Sequence, residues 1–382
     1  MHKICYVATV PLTIRSFFIP QIKFLSNKGF DVSVICSPDD SIALELGGNI
    51  TFIPVEIPRG ISVVGSLKAM KNLYNVFKKE KFDLIQYSTP NAALYTSVAA
   101  KLAGCNIRNY HLMGLRYLGT EGFGKVILKT LEKMTCRFST HVECVSRSNM
   151  EMGIREGLFP KEKVTVVWNG SSGGVDLSRF DYSKREQWRK EVREELGYTD
   201  SDFAYGFVGR ITGDKGINEL LQAYFSLQTT DKLFLIGRTE DNQTLNPQLI
   251  EKTKNDSNIQ FHAPAMDIER YFAAIDVLIL PSHREGFGNV IIEAAAMGVP
   301  AIVSDIPGPT DAIERDKTAL AVPVKDAGAL AKAMKEIKSR DYVTMGQNAV
   351  QYVREKFDSS VLCEKVLERK QELLSTSIVK SK

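Results

Sequence analysis

Short apolar runs and longer stretches of helical period alternate along this chain. Residues 3–10, 31–36, 83–87, 141–146 and 164–168 are runs of strand length in the first half. Residues 203–208, 232–236, 259–261, 277–280 and 301–304 repeat the pattern in the second. Amphipathic segments lie between them. Residues 17–28 place Phe17, Phe18, Ile22, Phe24 and Leu25 at helical spacing, and Gly29 closes the segment. Residues 63–81, 92–103, 123–135 and 148–157 read as further helices, and 183–196, 326–339, 342–357 and 359–374 continue the series; residues 11–15 read as a loop. Strands separated by helices in this order predict βαβ units, and hence a parallel doubly wound sheet in each half.

One stretch organises the second half. Residues 282–311 read SHREGFGNVIIEAAAMGVPAIVSDIPGPTD. An apolar strand enters, a glycine-containing loop follows, and a helix over 290–297 is stopped by Gly298 and Pro300 before a second apolar strand. Gly286 and Gly288 let backbone come close to a ligand, and the first amides of the helix are unpaired within it, a geometry that suits phosphate. Glu285 precedes the glycines and Glu293 sits in the second helical turn. Both are expected to face a crevice beyond the carboxyl ends of the strands. Taken singly, each would be an ordinary surface or helical Glu. A related loop is GRITGDKGINELLQAY: Gly209 and Gly216 permit a tight turn, and Arg210 and Lys215 place two cations over a helix N-terminus, which suits a diphosphate. Gly237 and Arg238 form another strand-end turn facing the same crevice.

At 382 residues the chain is long enough for two domains, each with its own core. No apolar run reaches the ~18–20 residues of a spanning helix, and the first residues read as a strand, not a signal peptide. Six scattered cysteines with no CxxC fit reduced thiols in a cytoplasmic protein. No His/Cys cluster has metal-ligand spacing. The net charge of +4 hides an asymmetry: the first 180 residues hold 22 Lys+Arg against 14 Asp+Glu, and the remainder is net acidic. A basic half facing something anionic is one reading; a solvated charge distribution is the other. Residues 123–135 sharpen the question. Lys125, Lys129 and Lys133 recur every four residues, with Leu128, Leu131 and Met134 as the apolar side. That stripe could lie on an anionic membrane or be a solvated face. No aromatic-basic motif supports nucleic-acid binding.

Glu285 and Glu293, with seven residues between them inside EGFGNVIIEAAAMGVP, resemble the E-x7-E signature of retaining family 4 glycosyltransferases of the GT-B fold. The SDIPGPTDAI continuation is similar to members that build bacterial capsule or lipid-linked oligosaccharides. The Arg210/Lys215 loop resembles the family's G-R-x-x-x-x-K-G element, and NGSSGGVD its hinge before the second domain. NYHLMGLRYLGTEGFGK, with His111, Gly114, Arg116, Tyr117 and Gly119, resembles the loop whose His lies beside the donor sugar; a satisfied buried His is the plainer alternative. Two positions depart from the pattern. The loop after the first strand, VPLTIRSF, lacks the usual paired glycines, and Ala263 stands where a base-contacting Gly is common.

The resemblance implies two Rossmann-like domains with parallel sheets facing a central cleft: residues 1–172, with a helix at about 358–376 packing back on them, and residues 173–357. It implies a nucleotide-sugar donor, UDP-linked, held by the C-terminal domain, and a lipid-diphosphate-linked saccharide acceptor held by the N-terminal domain. The protein would sit peripherally on the cytoplasmic face of the membrane, with Arg116, Lys125, Lys129 and Lys133 toward acceptor and lipid. Glu285 with Gly286, Phe287 and Gly288 would hold the sugar, Asn289 and Val290 the diphosphate, and Glu293 the ribose. Arg210 and Lys215 would stabilise the departing diphosphate. Front-side attack is expected, with no metal or other cofactor; Asp200-Ser201-Asp202 reads as a turn. The rival readings are a sugar-nucleotide epimerase of the same fold and a non-catalytic subunit that binds nucleotide sugar.

Overall fold

A computed structural model describes residues 1–60, 62–240 and 244–380. The chain divides into two compact units, Met1–Gly173 joined by the chain from Ser359 onward, and Gly174–Asp358.

In the N-terminal unit the order is β1 (Lys3–Val7), α1 (Pro11–Phe17), α2 (Ile19–Asn27), β2 (Asp31–Cys36), α3 (Asp40–Leu46), β3 (Thr51–Pro54), α4 (Val63–Glu80), β4 (Leu84–Tyr87), α5 (Pro90–Ala103), β5 (Ile107–Leu112), α6 (Gly122–Phe138), β6 (His141–Cys144), α7 (Arg147–Arg155) and β7 (Val164–Thr165). The strands form a parallel sheet in the order β3-β2-β1-β4-β5-β6-β7. The central strands are apolar on both faces because helices cover both. One face packs on α4, α5 and α6 through residues such as Leu73, Phe77, Ala99 and Cys136. The other packs through Leu84, through Phe18, Ile22 and Leu25, and through Val366 and Leu373 of the helix that returns from the second unit.

Residues 11–15, expected as a loop, are helical, and the helix expected over 17–28 begins two residues later, at Ile19, because Phe17 closes the preceding helix. Proline explains both. Pro11 opens α1 at its first turn, where no N–H is needed, and Pro20 does the same for α2, so Phe18 becomes the break between them.

The second unit runs α8 (Arg185–Leu196), β8 (Ala204–Val208), α9 (Ile217–Leu227), β9 (Lys232–Ile236), α10 (Pro247–Lys254), β10 (Ile259–His262), α11 (Ile268–Ala274), β11 (Val277–Leu280), α12 (Asn289–Ala296), β12 (Ala301–Ser304), β13 (Ala319–Val322), α13 (Ala327–Ser339) and α14 (Tyr342–Lys356). Its parallel sheet has the order β10-β9-β8-β11-β12-β13. The chain then returns to the first unit as α15 (Ser359–Lys380).

The order reverses between β8 and β11, so the loops leaving these two strands flank the switch point where doubly wound sheets take their ligands. The opposite end of the strands is tied by charge. Asp276, just before β11, accepts from Arg189 at 2.7 Å, from Arg193 at 2.8 Å and from the Ala204 amide at 2.8 Å. Arg193 also donates to the carbonyls of Ala274, Thr199 and Asp202. Arg193 and Asp276 are both buried, and each guanidinium nitrogen has a partner there, which is the condition for burying such a pair.

Candidate active site

The loops after β8 and β11 are laced together in the C-terminal unit. Gly216 has φ +74°, and a Cβ there would overlap the carbonyl oxygen of Pro281. Gly237 has φ +151°, and a Cβ there would overlap the carbonyl oxygen of Gly209. Glycine is therefore required at both positions for shape as well as for backbone angle. Across this close passage the His283 amide donates to the Asp214 carbonyl at 2.9 Å. Arg284 and Arg210 reach the Asp214 carboxylate at 3.1 and 3.3 Å, and Arg210 also reaches Glu240 at 3.4 Å. Burial pushes the Asp214 carboxyl up, but the Thr212 hydroxyl and the Arg210, Arg284 and Lys215 cations hold it below the usual carboxylate range.

Lys215 and Glu285 meet here. The Lys215 ammonium donates to Glu285 Oε1 at 2.5 Å, and the Ser282 hydroxyl donates to the same oxygen at 2.9 Å. Both side chains of the ion pair are mostly buried. Gly288 is the N-cap of α12, so the amides of Asn289 and Val290 belong to the helix's first turn, four and five residues after Glu285. Phe287 does not face the loop: its ring is buried against Phe357 at 5.3 Å between centroids, which leaves only its backbone for a ligand. Arg238 is exposed after Gly237.

Glu293 lies on α12, and burial pushes its carboxyl up to about 7; Arg179 works against that shift and Glu269 adds to it. Arg179 is itself bound to Glu269 at 2.9 Å and to the Met266 carbonyl at 2.7 Å. The structure thus groups Gly209, Arg210, Lys215, Gly237, Glu285 and the start of α12 around one switch point. The residue pattern had missed Asp214, Ser282, His283 and Arg284. Their signal was adjacency: three of them directly precede Glu285, and Asp214 directly precedes Lys215.

The remaining predicted residues belong to the N-terminal unit. His111 is the penultimate residue of β5, not a loop residue, and it is buried. Its Nε2 lies 3.3 Å from Ser172 Oγ, and its ring meets Phe18 edge-on at 5.3 Å. Arg116 is exposed in the short turn Arg116–Gly119. On α6, Lys125 and Lys133 are exposed, but Lys129 is not available as a third cation. Its ammonium is bound to Glu156 at 2.9 Å and lies over the Tyr117 ring. The apolar side also differs from expectation. Leu128 packs on the core, whereas Met134 is turned outward with Phe123, Val126 and Ile127, and Phe123 is 79% exposed. Val63, Val64 and Leu67 at the start of α4 are exposed as well. No helix among the described residues is long and apolar enough to cross a membrane.

Comparison with known proteins covers both units. Residues 3–146 match the family model "Glycosyl transferase 4-like", and residues 189–356 match "Glycosyl transferases group 1". A capsular polysaccharide biosynthesis glycosyltransferase of Staphylococcus aureus is 29% identical over 96% of each chain. A UDP-Gal:alpha-D-GlcNAc-diphosphoundecaprenol alpha-1,3-galactosyltransferase of Escherichia coli is 26% identical over 87% of each. Among solved structures, Anabaena HepE, crystallised with UDP and glucose, superposes with a TM-score of 0.81 at 20% identity, over 97% of this chain and 100% of that one.

The raised Glu293 carboxyl makes a pH prediction. Below about pH 7 it is mostly neutral, and a nucleotide ribose expected to donate both hydroxyls to it would be held more strongly by the ionised form. Binding must then release a proton, and affinity must fall as pH falls through that range. Calorimetry with a nucleoside diphosphate should show affinity strengthening from about pH 5 to 7.5, with a shallower slope in Glu293→Gln. The phosphate's own titration is common to both proteins, so an identical slope in the two would remove Glu293 from the site.

Proposed function

This chain belongs to the family 4-like glycosyltransferases of the GT-B fold, and we propose that it is a retaining enzyme carrying a sugar from a UDP-linked donor to a lipid-diphosphate-linked saccharide. The transferred sugar is an N-acetylhexosamine or a related sugar, and the product belongs to capsule, O-antigen or exopolysaccharide synthesis. The relative from Escherichia supports the acceptor class, the one from Staphylococcus supports a capsular product, and the UDP-bound structure of the same fold supports the donor.

The observation that carries the reading is the cationic pair set beside a helix start at the switch point. Arg210 and Lys215 are held on the loop after β8, and Lys215 is bound to Glu285 of the glycine loop after β11, which leads directly into Asn289 and Val290 at the start of α12. Cations on a loop that packs against the approach to a helix start suit a departing diphosphate, because negative charge grows on it as the glycosidic C–O bond breaks. These groups supply that charge compensation without a metal. In front-side attack the acceptor hydroxyl forms its bond to the anomeric carbon on the face the diphosphate leaves. Its proton passes to a departing phosphate oxygen, so configuration is retained. Glu285 and the loop backbone hold the sugar, and His111 is the group of the N-terminal unit assigned to it. Glu293 holds the ribose.

The N-terminal unit carries the acceptor side. Phe123, Val126, Ile127 and Met134 are outward apolar residues of α6, Lys133 falls beside Val126 by helical spacing, and Lys125 is exposed elsewhere on the same helix. An exposed apolar strip on a helix that also carries exposed lysines matches the boundary of an anionic bilayer, where the acceptor's lipid resides. The helix lies on that surface; it does not span it.

Two outcomes are expected. Arg210→Ala and Lys215→Ala should each lower kcat/KM by roughly 10- to 100-fold, since a charge-assisted bond contributes about 1.5–3 kcal/mol. Near wild-type transfer in both, measured by product formation with purified protein, would overturn the clamp. Separately, Phe123→Ala combined with Lys125→Glu and Lys133→Glu should abolish co-sedimentation with phosphatidylglycerol vesicles at low salt while leaving UDP affinity unchanged. A wild-type protein that ignores such vesicles would point to a soluble acceptor.

A further inference from the structure

The sheet face beneath α15 contains a buried polar chain inside an otherwise apolar core. Glu143 on β6 is 3% exposed at its side chain, and Lys370 on α15 is 1% exposed. The Lys370 ammonium donates to the two Glu143 oxygens at 3.1 and 3.3 Å and to Gln86 Oε1 at 2.5 Å. Asn109 donates to the same Gln86 oxygen at 3.1 Å, and Arg369 approaches Glu143 at 3.4 Å. Burial works against a charged Glu143, yet Lys370 above all, with His111 and Asn109, holds its carboxyl well below the usual range. Glu143 is an anion in the core.

His111 is its register partner on the neighbouring strand, so both side chains share one face of the sheet. His111 Nδ1 lies 4.0 Å from Glu143 Oε2, its charged neighbour on this face, and has no hydrogen-bond partner within reach among the described residues. Nε2 is directed the other way, at the Ser172 hydroxyl. A ring nitrogen facing a buried carboxylate is stabilised when it carries the proton and destabilised when it presents a lone pair.

We infer that the Glu143–Lys370 pair fixes His111 as the tautomer with its proton on Nδ1 and its lone pair on Nε2. Nε2 is then an acceptor, taking the Ser172 hydroxyl or a sugar hydroxyl that replaces it. Glu143 and Lys370 are positioning residues acting through the imidazole. The connection has a second consequence. Ser172 stands just before the chain leaves the N-terminal unit, and Lys370 lies on the helix with which it returns. His111 is thus fixed by both segments at which the chain passes between units. This inference deepens the proposed function and rests on His111 being the group assigned to the sugar.

The test is ring-nitrogen NMR on protein labelled with 15N-histidine, at alkaline pH, where tautomer and not charge is read. The chain has five histidines, and His111→Asn identifies the signal. The wild type should show a protonated Nδ1 and an unprotonated Nε2. Removing both charges together, in Glu143→Leu/Lys370→Met, avoids stranding one of them. It should shift His111 toward the Nε2-protonated tautomer and lower kcat by roughly tenfold or more, with UDP affinity unchanged. If the double variant does not fold, Glu143→Gln carries the same reading, since its amide has no charge to favour a proton on Nδ1. A protonated Nε2 in the wild type, or an unshifted tautomer in a folded variant, would overturn the inference. A shifted tautomer with unchanged kcat would leave the tautomer assignment standing and remove His111 from the chemistry.

Discussion

At the carboxyl ends of β8 and β11, two stretches of backbone pass with no room for a side chain between Gly216 and Pro281. That passage brings Lys215 onto Glu285 and lets His283 and Arg284 close on Asp214. The rest of the C-terminal unit's site depends on it. Separate the two loops and the cations lose their carboxylates, while the start of α12 loses its fixed place beside them. The sheet sets the location, since the order reverses between these two strands. The ion pair sets the geometry. Lys215 and Glu285 are both largely out of solvent, so each is desolvated before any ligand arrives. A diphosphate that takes over the Lys215 ammonium therefore meets a cation already stripped of much of its water, which is the sense in which such sites are preorganised.

The N-terminal unit solves a different problem with the same materials. Its buried charges sit beneath a helix that arrives only after the whole second unit has been made. An apolar pair of similar volume would serve the core's stability as well or better. What the charged pair adds is a defined electrostatic direction at His111, one strand over. Glu132 on α6 is a contrasting case: burial pushes its carboxyl up to about 7, and what works against that shift is the Tyr110 hydroxyl, not a cation. A buried carboxylate is held ionised on one side of this sheet by Lys370, and a buried carboxyl is left close to neutrality on the other.

Much of this was legible in the residue pattern, for reasons that can be located. Lys232–Ile236, Val277–Leu280 and Ala301–Ser304 are central strands, and a continuous apolar run between turn residues marks them well. The pattern failed where that signal is weak. β3 is an edge strand whose residues are exposed or half-exposed, and α3, α10 and α11 are helices of only 7 or 8 residues, too short to show a full helical period twice; β13 is a brief run between polar turns. Glu285 and Lys215 could be assigned to one ligand by motif, but their mutual hydrogen bond could not, because it depends on how two loops 70 residues apart pack. Glu143 and Lys370 are separated by 227 residues and belong to no motif, so only the folded chain joins them. Lys129 shows the converse: regular spacing placed it on a cationic stripe, and one neighbouring carboxylate at the C-terminal end of α7 removed it.

The most direct measurement is diffraction from crystals of the protein grown with UDP. The β-phosphate is expected at the start of α12, within hydrogen-bond distance of the Asn289 and Val290 amides and of Arg210 and Lys215, with the ribose at Glu293. A nucleotide bound elsewhere, or at this loop with its diphosphate turned away from Arg210 and Lys215, would contradict the clamp.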